Sequence, residues 1–330
     1  MQDKKKKILF INFGGIGDEL LFLPTIISIK KEFPNSHIAL ALEPRSRGIT
    51  ALTDIIDETL YADIKNGNKF LSLFMLLLKI WTKRFDIVIS SGSNKLISIF
   101  LFATFIKKRY GYNSGMLSEF LLTEAVKLNK SQYAGYMYHD LIRSITNQNT
   151  LLPEINIQSA EKEPNTVLIH PGVSKMSVDK GMIKTVTPTV WSEAINKLLE
   201  KGKYVMLAGG PDDKECIEII LSMVKESVMF ENMFGKTKNL RDLAELISKS
   251  EMFICSDSAP LHVAVGMGTK TYAIFGPTDD KKLIPPSVTA IKANDNCAIK
   301  PCLWDVRQTT CKGLYCLKIT ADDVINQVGL

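Results

Sequence analysis

Apolar and polar positions follow two rhythms along this chain. Residues 8–11 (ILFI) form an unbroken apolar run after a charged leader, the pattern of a strand buried on both faces of a parallel sheet. Residues 13–18 (FGGIGD) break the run, and 20–31 carry a helical pattern that ends near Phe33-Pro34-Asn35. Further strands are read at 37–42 and 85–90 (FDIVIS), with helices at 69–83 and 96–106. Strands alternating with helices predict βαβ units.

Residues 150–164 lack periodicity and carry Pro153, Glu161, Glu163 and Pro164, so the domain boundary is placed there. The rhythm then restarts. Strands are read at 166–170 (TVLIH), 203–208 (KYVMLA), 251–255 (EMFIC) and 271–275 (TYAIF). Helices are read at 191–201, 213–225 and 240–248, with another beginning at 261. This predicts two successive α/β domains, 1–155 and 165–330. Open α/β sheets bind ligands at the carboxyl ends of their strands. The polar signatures 14–18, 171–175, 209–212, 256–260 and 276–279 all fall at such ends.

Composition narrows the class. The 330 residues are 45% hydrophobic and 23% charged, a globular balance that argues against a disordered chain, a collagen or a disulfide knot. The apolar stretch 8–13 is too short for a secretory signal, and the runs 70–78 and 96–106 fall short of the roughly 20 residues that span a bilayer. A cytoplasmic protein, soluble or peripherally bound, is expected. Forty-one basic against 35 acidic residues leave a net +6 that reads as diffuse. It identifies no nucleic-acid partner and suits an anionic small substrate or a membrane surface. The stretch 69–84 is apolar nearly all round and is expected to be a buried helix, with a membrane-dipping surface as the other reading. The basic clusters 4–7 and 107–109 would serve such a surface.

Four constellations could carry chemistry. Gly14, Gly15 and Gly17 with Asp18 form a strand-to-helix turn that lacks both the Walker ending and the third glycine of a dinucleotide fingerprint. Asp18 reads either as an N-cap or as a general base held ionised at a helix start. The run Ser256-Asp257-Ser258-Ala259-Pro260-Leu261-His262 offers backbone N–H groups to an anion and a carboxylate to sugar hydroxyls, or else a plain helix cap with His262 packed behind it. The loop from Ser174 carries Lys175, Lys180 and Lys184, either neutralising a pyrophosphate or simply solvated. Cys297, Cys302, Cys311 and Cys316 read as a structural metal site or as thiols and adventitious disulfides, while Cys216 and Cys255 read as core.

The order of these signals is more specific than any one of them. FGGIGDELLFLP, LIHPGVSK, IKTVTPTVW, MLAGGPDD and FGKTKNLRDLAELISKSEMFICSDSAPLHVAVGMGTKTYAIFGPTD resemble the ADP-heptose:lipopolysaccharide heptosyltransferase family, glycosyltransferase family 9, from Lys7 to about Thr278. The late cysteines look like the Cys-rich tail of some members. The resemblance implies a GT-B fold, two Rossmann-like domains facing a central cleft, with the acceptor on the first and the sugar nucleotide on the second. It implies an inverting transfer of heptose, with ADP-heptose as donor, to a lipopolysaccharide-core or related surface-glycan acceptor. It implies that catalysis requires no cofactor, and no nucleic-acid partner is expected.

By this resemblance Asp18 matches the catalytic base and Lys184 the diphosphate ligand. Asp257 matches the acid that holds the donor sugar. Gly172, Ser174, Lys175, Ser258, Ala259, Pro260 and His262 match the phosphate loops, and Gly235 and Thr237 the turn near the nucleoside. The family's Lys-x-Trp-Pro reads Lys184-Thr185-Val186-Thr187-Pro188 in this chain, one residue longer and without its tryptophan, which leaves Lys180 as an alternative to Lys184. Other readings are a transferase using another sugar nucleotide for capsule or protein glycosylation, a sugar-nucleotide epimerase, and a non-catalytic nucleotide-sugar-binding homologue.

Overall fold

A computed structural model of the chain describes residues 5–65, 67–157, 161–294, 297–303 and 311–330. Lys4 of the first basic cluster and residues 158–160 of the boundary segment lie outside the described residues. The chain divides into two compact units, Met1–Asn156 and Ile157–Leu330.

The first unit runs β1 (Lys7–Ile11), α1 (Ile16–Glu32), β2 (His37–Leu42), β3 (Glu58–Tyr61), α2 (Lys69–Lys83), β4 (Ile87–Ser90), α3 (Lys95–Ala103), β5 (Lys108–Tyr112), α4 (Met116–Leu121), β6 (Glu124–Val126) and α5 (Ala134–His139). Its six strands are parallel, in the order β3-β2-β1-β4-β5-β6. The apolar run of β1 lies between β2 and β4 with Ile8, Leu9 and Phe10 fully buried, as a strand covered on both faces must be. Because successive crossovers leave β1 in opposite directions, the carboxyl ends of β1 and β4 form a topological switch point. The Gly14–Asp18 turn stands there.

The second unit runs β7 (Glu163–His170), α6 (Lys175–Asp179), α7 (Pro188–Glu200), β8 (Tyr204–Leu207), α8 (Lys214–Met223), β9 (Phe230–Asn232), α9 (Leu240–Lys249), β10 (Ser250–Ser256), α10 (Ala259–Gly266), β11 (Lys270–Ile274), α11 (Asp280–Leu283), β12 (Val288–Ile291) and α12 (Ala321–Val328). Its parallel order is β12-β11-β10-β7-β8-β9. Numbered within each unit, the two sheets share one order, the 3-2-1-4-5-6 of a Rossmann domain. The switch point of the second unit lies between β7 and β10, where the 171–175 and 256–260 segments emerge. Its core joins β7, β8, β10 and β11 to α7, α8 and α12 around the fully buried Trp191.

Two expectations fail. Helix α1 begins at Ile16 rather than 20 and runs through Pro24, which has no N–H to give the Leu20 carbonyl. The helix holds because Leu20 to Leu23 and Ile26 are buried against the sheet. Helix α2 is not buried. Only Leu76 and Ile80 are, while Phe70 is 81% exposed, and Leu71, Phe74, Met75, Leu78 and Trp81 also face solvent. A sheet face receives one stripe of a helix, so an all-apolar helix without a second layer over it leaves its outer half uncovered.

Ile254 in β10 is fully buried in the second core. Replacing it with alanine is expected to cost about 2–5 kcal/mol, because the cavity only partly collapses. Hydrogen exchange of Ile254→Ala should show weakened protection within residues 157–330 and little change within 5–156. Equal loss in both would contradict the division into two units.

Candidate functional site

In the first unit the β1–α1 turn is built around Asp18. Gly15 is the N-cap, and Asp18 occupies the third helical position with its Oδ2 accepting the Gly15 N–H at 2.8 Å. Asp18 is therefore not the N-cap that one reading assigned. Asn12 ties the turn together, accepting the Gly14 N–H at 3.1 Å and donating to the Asp18 carbonyl at 3.2 Å. Ser46 donates to the Gly14 carbonyl at 3.0 Å. A Cβ on Gly14 would lie 2.2 Å from the Asp18 Cβ, so only glycine lets the turn close over the acid. Gly17, in the first turn of α1, is half-buried.

Glu19 escaped notice in the sequence, where it looks like a routine first-turn acid. The structure buries it to 1% exposure. Burial, and then the neighbouring Asp18, push its carboxyl well above the usual range, with Arg45 acting in the opposite sense. Neither carboxyl oxygen finds a hydrogen-bond partner among the described residues. Tyr138 packs edge-on against Phe22 at 5.4 Å, and burial followed by Asp18 raises its phenol. The contacts of α5 with α1 enclose this pair, a long-range packing that no local pattern announces.

In the second unit the acid is Asp257, just beyond β10, with its side chain 4% exposed. A carboxylate so far from water must be paired. Lys184 donates to its Oδ2 at 3.2 Å and Thr278 at 2.8 Å. Ser258 is the N-cap of α10, Ala259 and Pro260 open its first turn, and His262 is buried one turn on. Lys184 is held from its other side. Thr185 donates to the Pro171 carbonyl at 3.0 Å and accepts the Trp191 indole N–H at 3.1 Å. The Ser256 hydroxyl stands 2.7 Å from both the Pro171 carbonyl and Thr185 Oγ1. Trp191, three residues after Pro188, thus fixes the backbone beside Lys184.

The other candidates separate. The expected loop after Ser174 is in part the short helix α6, N-capped by Ser174. Lys175 and Lys180 are exposed, and the structure brings only Lys184 of the three lysines to Asp257. Gly235, in the left-handed conformation at φ +78°, and the half-buried Thr237 lie in the turn after the edge strand β9. Gly172 closes over Asp213, which the sequence reading passed over. A Cβ on Gly172 would lie 2.0 Å from Asp213 Oδ1, and the Gly210 N–H donates to Asp213 Oδ2 at 2.7 Å.

No cluster of three or more His, Cys, Asp or Glu side chains suited to a metal occurs among the described residues, so the metal reading of the late cysteines is not met. Those four are thiols. Cys302 and Cys316 are buried, and Cys297 and Cys311 are half-buried. Burial, then Cys297, raises the Cys302 thiol, with Cys311 also contributing. The tail braces the loop after β11 instead. Cys302 and Leu303 donate to the Pro277 carbonyl at 2.9 and 3.1 Å, and Leu317 packs where a Cβ on Gly276 would lie 2.5 Å away. The next residue is Thr278, which holds Asp257.

His170 Nε2 lies 3.9 Å from Asp213 Oδ2. Burial pushes the Asp213 carboxyl up to about 6 and the His170 imidazole down to about 4. At pH 7 the contact is therefore carboxylate against neutral imidazole rather than an ion pair. Stability from protonated Asp213 is present below its unfolded value and lost as pH rises through about 6; stability from neutral His170 is present above its unfolded value and lost as pH falls through about 4. The two slopes oppose each other between about pH 4 and 6.5. The urea midpoint of Asp213→Asn should fall on acidification through this window, and that of His170→Gln should fall as pH is raised through it. Slopes of the same sign in the two variants would refute the assignment.

The sequence model of glycosyltransferase family 9 (heptosyltransferase) matches residues 74–313. The chain is 25% identical over 284 residues to lipopolysaccharide heptosyltransferase 3 of Escherichia coli, covering 80% of this chain and 81% of the relative. A solved family 9 glycosyl transferase from Veillonella parvula superposes with a TM-score of 0.76 at 19% identity, over 99% of this chain and 97% of that one. E. coli heptosyltransferase WaaC with ADP-2-deoxy-2-fluoro heptose superposes with a TM-score of 0.74 at 13% identity, over 98% of each. The two Rossmann-ordered sheets are thus those of a GT-B fold, and the chain belongs to glycosyltransferase family 9, the heptosyltransferases.

Proposed function

We propose that this enzyme transfers heptose from ADP-heptose to a lipopolysaccharide-core or related lipid-linked glycan, with inversion at the anomeric carbon. The observation that carries the reading is the buried Asp257 carboxylate, paired with Lys184 at the N-terminus of α10. That arrangement supplies one acid for sugar hydroxyls and two sources of positive potential for a diphosphate. The ADP-heptose analogue seen with WaaC and the names of the curated relatives support the donor and acceptor class. The protein acts in the cytoplasm, at the inner membrane.

The first unit binds the acceptor and the second the donor. Asp18, kept in the first turn of α1 with its Oδ2 on the Gly15 N–H, takes the proton of the acceptor hydroxyl. The freed oxygen attacks the anomeric carbon from the face opposite the diphosphate. A C–O bond forms as the bond to the phosphate oxygen breaks, through an oxocarbenium-like transition state. Asp257 orients the sugar. Lys184 and the N–H groups around Ser258, Ala259 and Pro260 neutralise the charge that develops on ADP, with Ser174 and Lys175 flanking the phosphates and Gly235 and Thr237 the nucleoside. These residues stand where a divalent cation would otherwise serve, and catalysis draws on no cofactor.

Asp18→Ala is expected to lower turnover by about 10²–10⁴ while ADP affinity in calorimetry is unchanged. Lys184→Ala should weaken ADP binding and cost about 10²–10³ in rate, and Lys180→Ala should do neither. Near-normal turnover of Asp18→Ala would remove it as the base. A thermal-shift panel should show stabilisation by ADP well above UDP and GDP, and preference for UDP would overturn the donor.

A further inference from the structure

The uncovered outer half of α2 belongs to a larger surface. Leu96, Ile99 and Phe102 on α3 are exposed, and in α4 Met116 and Phe120 are more than 80% exposed. The three helices form one face. Trp81 of α2 donates its indole N–H to the Ala103 carbonyl at 2.9 Å and lies 5.8 Å from the Phe105 ring, while Arg109 sits over the Phe102 ring and donates to the Leu121 carbonyl at 2.8 Å. Phe105 is 74% exposed with φ at +58°, a left-handed conformation that costs a bulky side chain free energy. Strain is thus spent on turning an aromatic ring outward.

The charge follows the same helices. Residues 69–121 hold eight Lys and Arg against two Asp and Glu, a surplus of six that equals the +6 of the whole chain. The excess is not diffuse, as composition alone suggested. A cavity of about 480 Å³ beside Trp81 and Phe105 is lined by Arg84 and Lys107 as well as Ile80, and its acidic member, Asp86, accepts the Lys7 N–H at 2.8 Å. Aromatic and aliphatic side chains facing outward among cations match the boundary of an anionic bilayer, where apolar tips enter the acyl region and cations meet phosphates.

We infer that the α2–α3–α4 face docks on an anionic phospholipid bilayer, with the cavity at Trp81 and Phe105 taking a lipid phosphate. This rests on the proposed reading of a lipid-linked acceptor and names the surface by which the enzyme reaches it. Gly15 and Asp18 lie at the carboxyl edge of the same sheet, as does the start of α4 after β5.

The test is flotation of the full chain with vesicles of phosphatidylglycerol and phosphatidylethanolamine, or of phosphatidylcholine alone. The wild-type chain should float with the first at low salt, and weakly with the second. Lys107→Glu/Lys108→Glu should lower partitioning at least about twentyfold, at roughly fivefold per cation. Phe74→Ser/Phe105→Gly should also release the protein, with circular dichroism unchanged. Both variants should turn over a lipid-free acceptor sugar at the wild-type rate. Failure of the wild type to turn over that sugar would count against the proposed reaction alone, because flotation needs no chemistry. No flotation with anionic vesicles, equal flotation with both kinds, or self-association abolished by these variants would overturn the docking surface.

Discussion

The central strands of both sheets are covered on both faces, and much of the remaining structure follows from that constraint. A parallel strand with no wet face needs helices above and below it, and each return crossover must begin in a loop at the strands' carboxyl edge. β1, β7 and β10 are such strands, and their loops carry Asp18, Gly172 and Asp257. The candidate site residues therefore stand at the switch points because backbone hydrogen bonding leaves the polar, irregular chain nowhere else to go.

The two units solve the problem of holding an acid in different ways. Asp18 is local. Its partners are the turn of α1 and Asn12, and Gly14 gives it room. Asp257 depends on residues far apart in sequence: Lys184 before α7, Thr278 after β11, and behind Thr278 the Cys-rich tail against Pro277. A buried carboxylate without these partners would carry an uncompensated desolvation cost. The tail thus supports the loop that holds Asp257 by packing, with its buried cysteines as small apolar groups.

How much was readable without coordinates depended on how local each determinant is. The helix at 69–83 and the strand at 37–42 have the predicted bounds because one uninterrupted pattern spans each. The short strands β3, β5, β6, β9 and β12 were missed. β3, β6, β9 and β12 hold three or four residues, and β5 opens on Lys108-Arg109. Their strand character comes from a neighbour's hydrogen-bond register rather than their own pattern. The site followed the same rule. Asp18 and the Ser256 to His262 run were visible as motifs, whereas Glu19 and Asp213 look like ordinary surface acids until α5 and Gly172 close over them.

The sequence by itself determined the alternation of strands and helices and the turns at which polar and glycine-rich segments interrupt it. Those follow from periodicity and turn residues, which act over a few positions of chain. Only the tertiary structure decided which of three lysines meets Asp257, that the late cysteines brace a loop, and that α2 leaves half its apolar surface uncovered. Each of these depends on what lies opposite a side chain across a gap of tens to a hundred residues. Burial and pairing are properties of that opposing surface, and no local pattern encodes it.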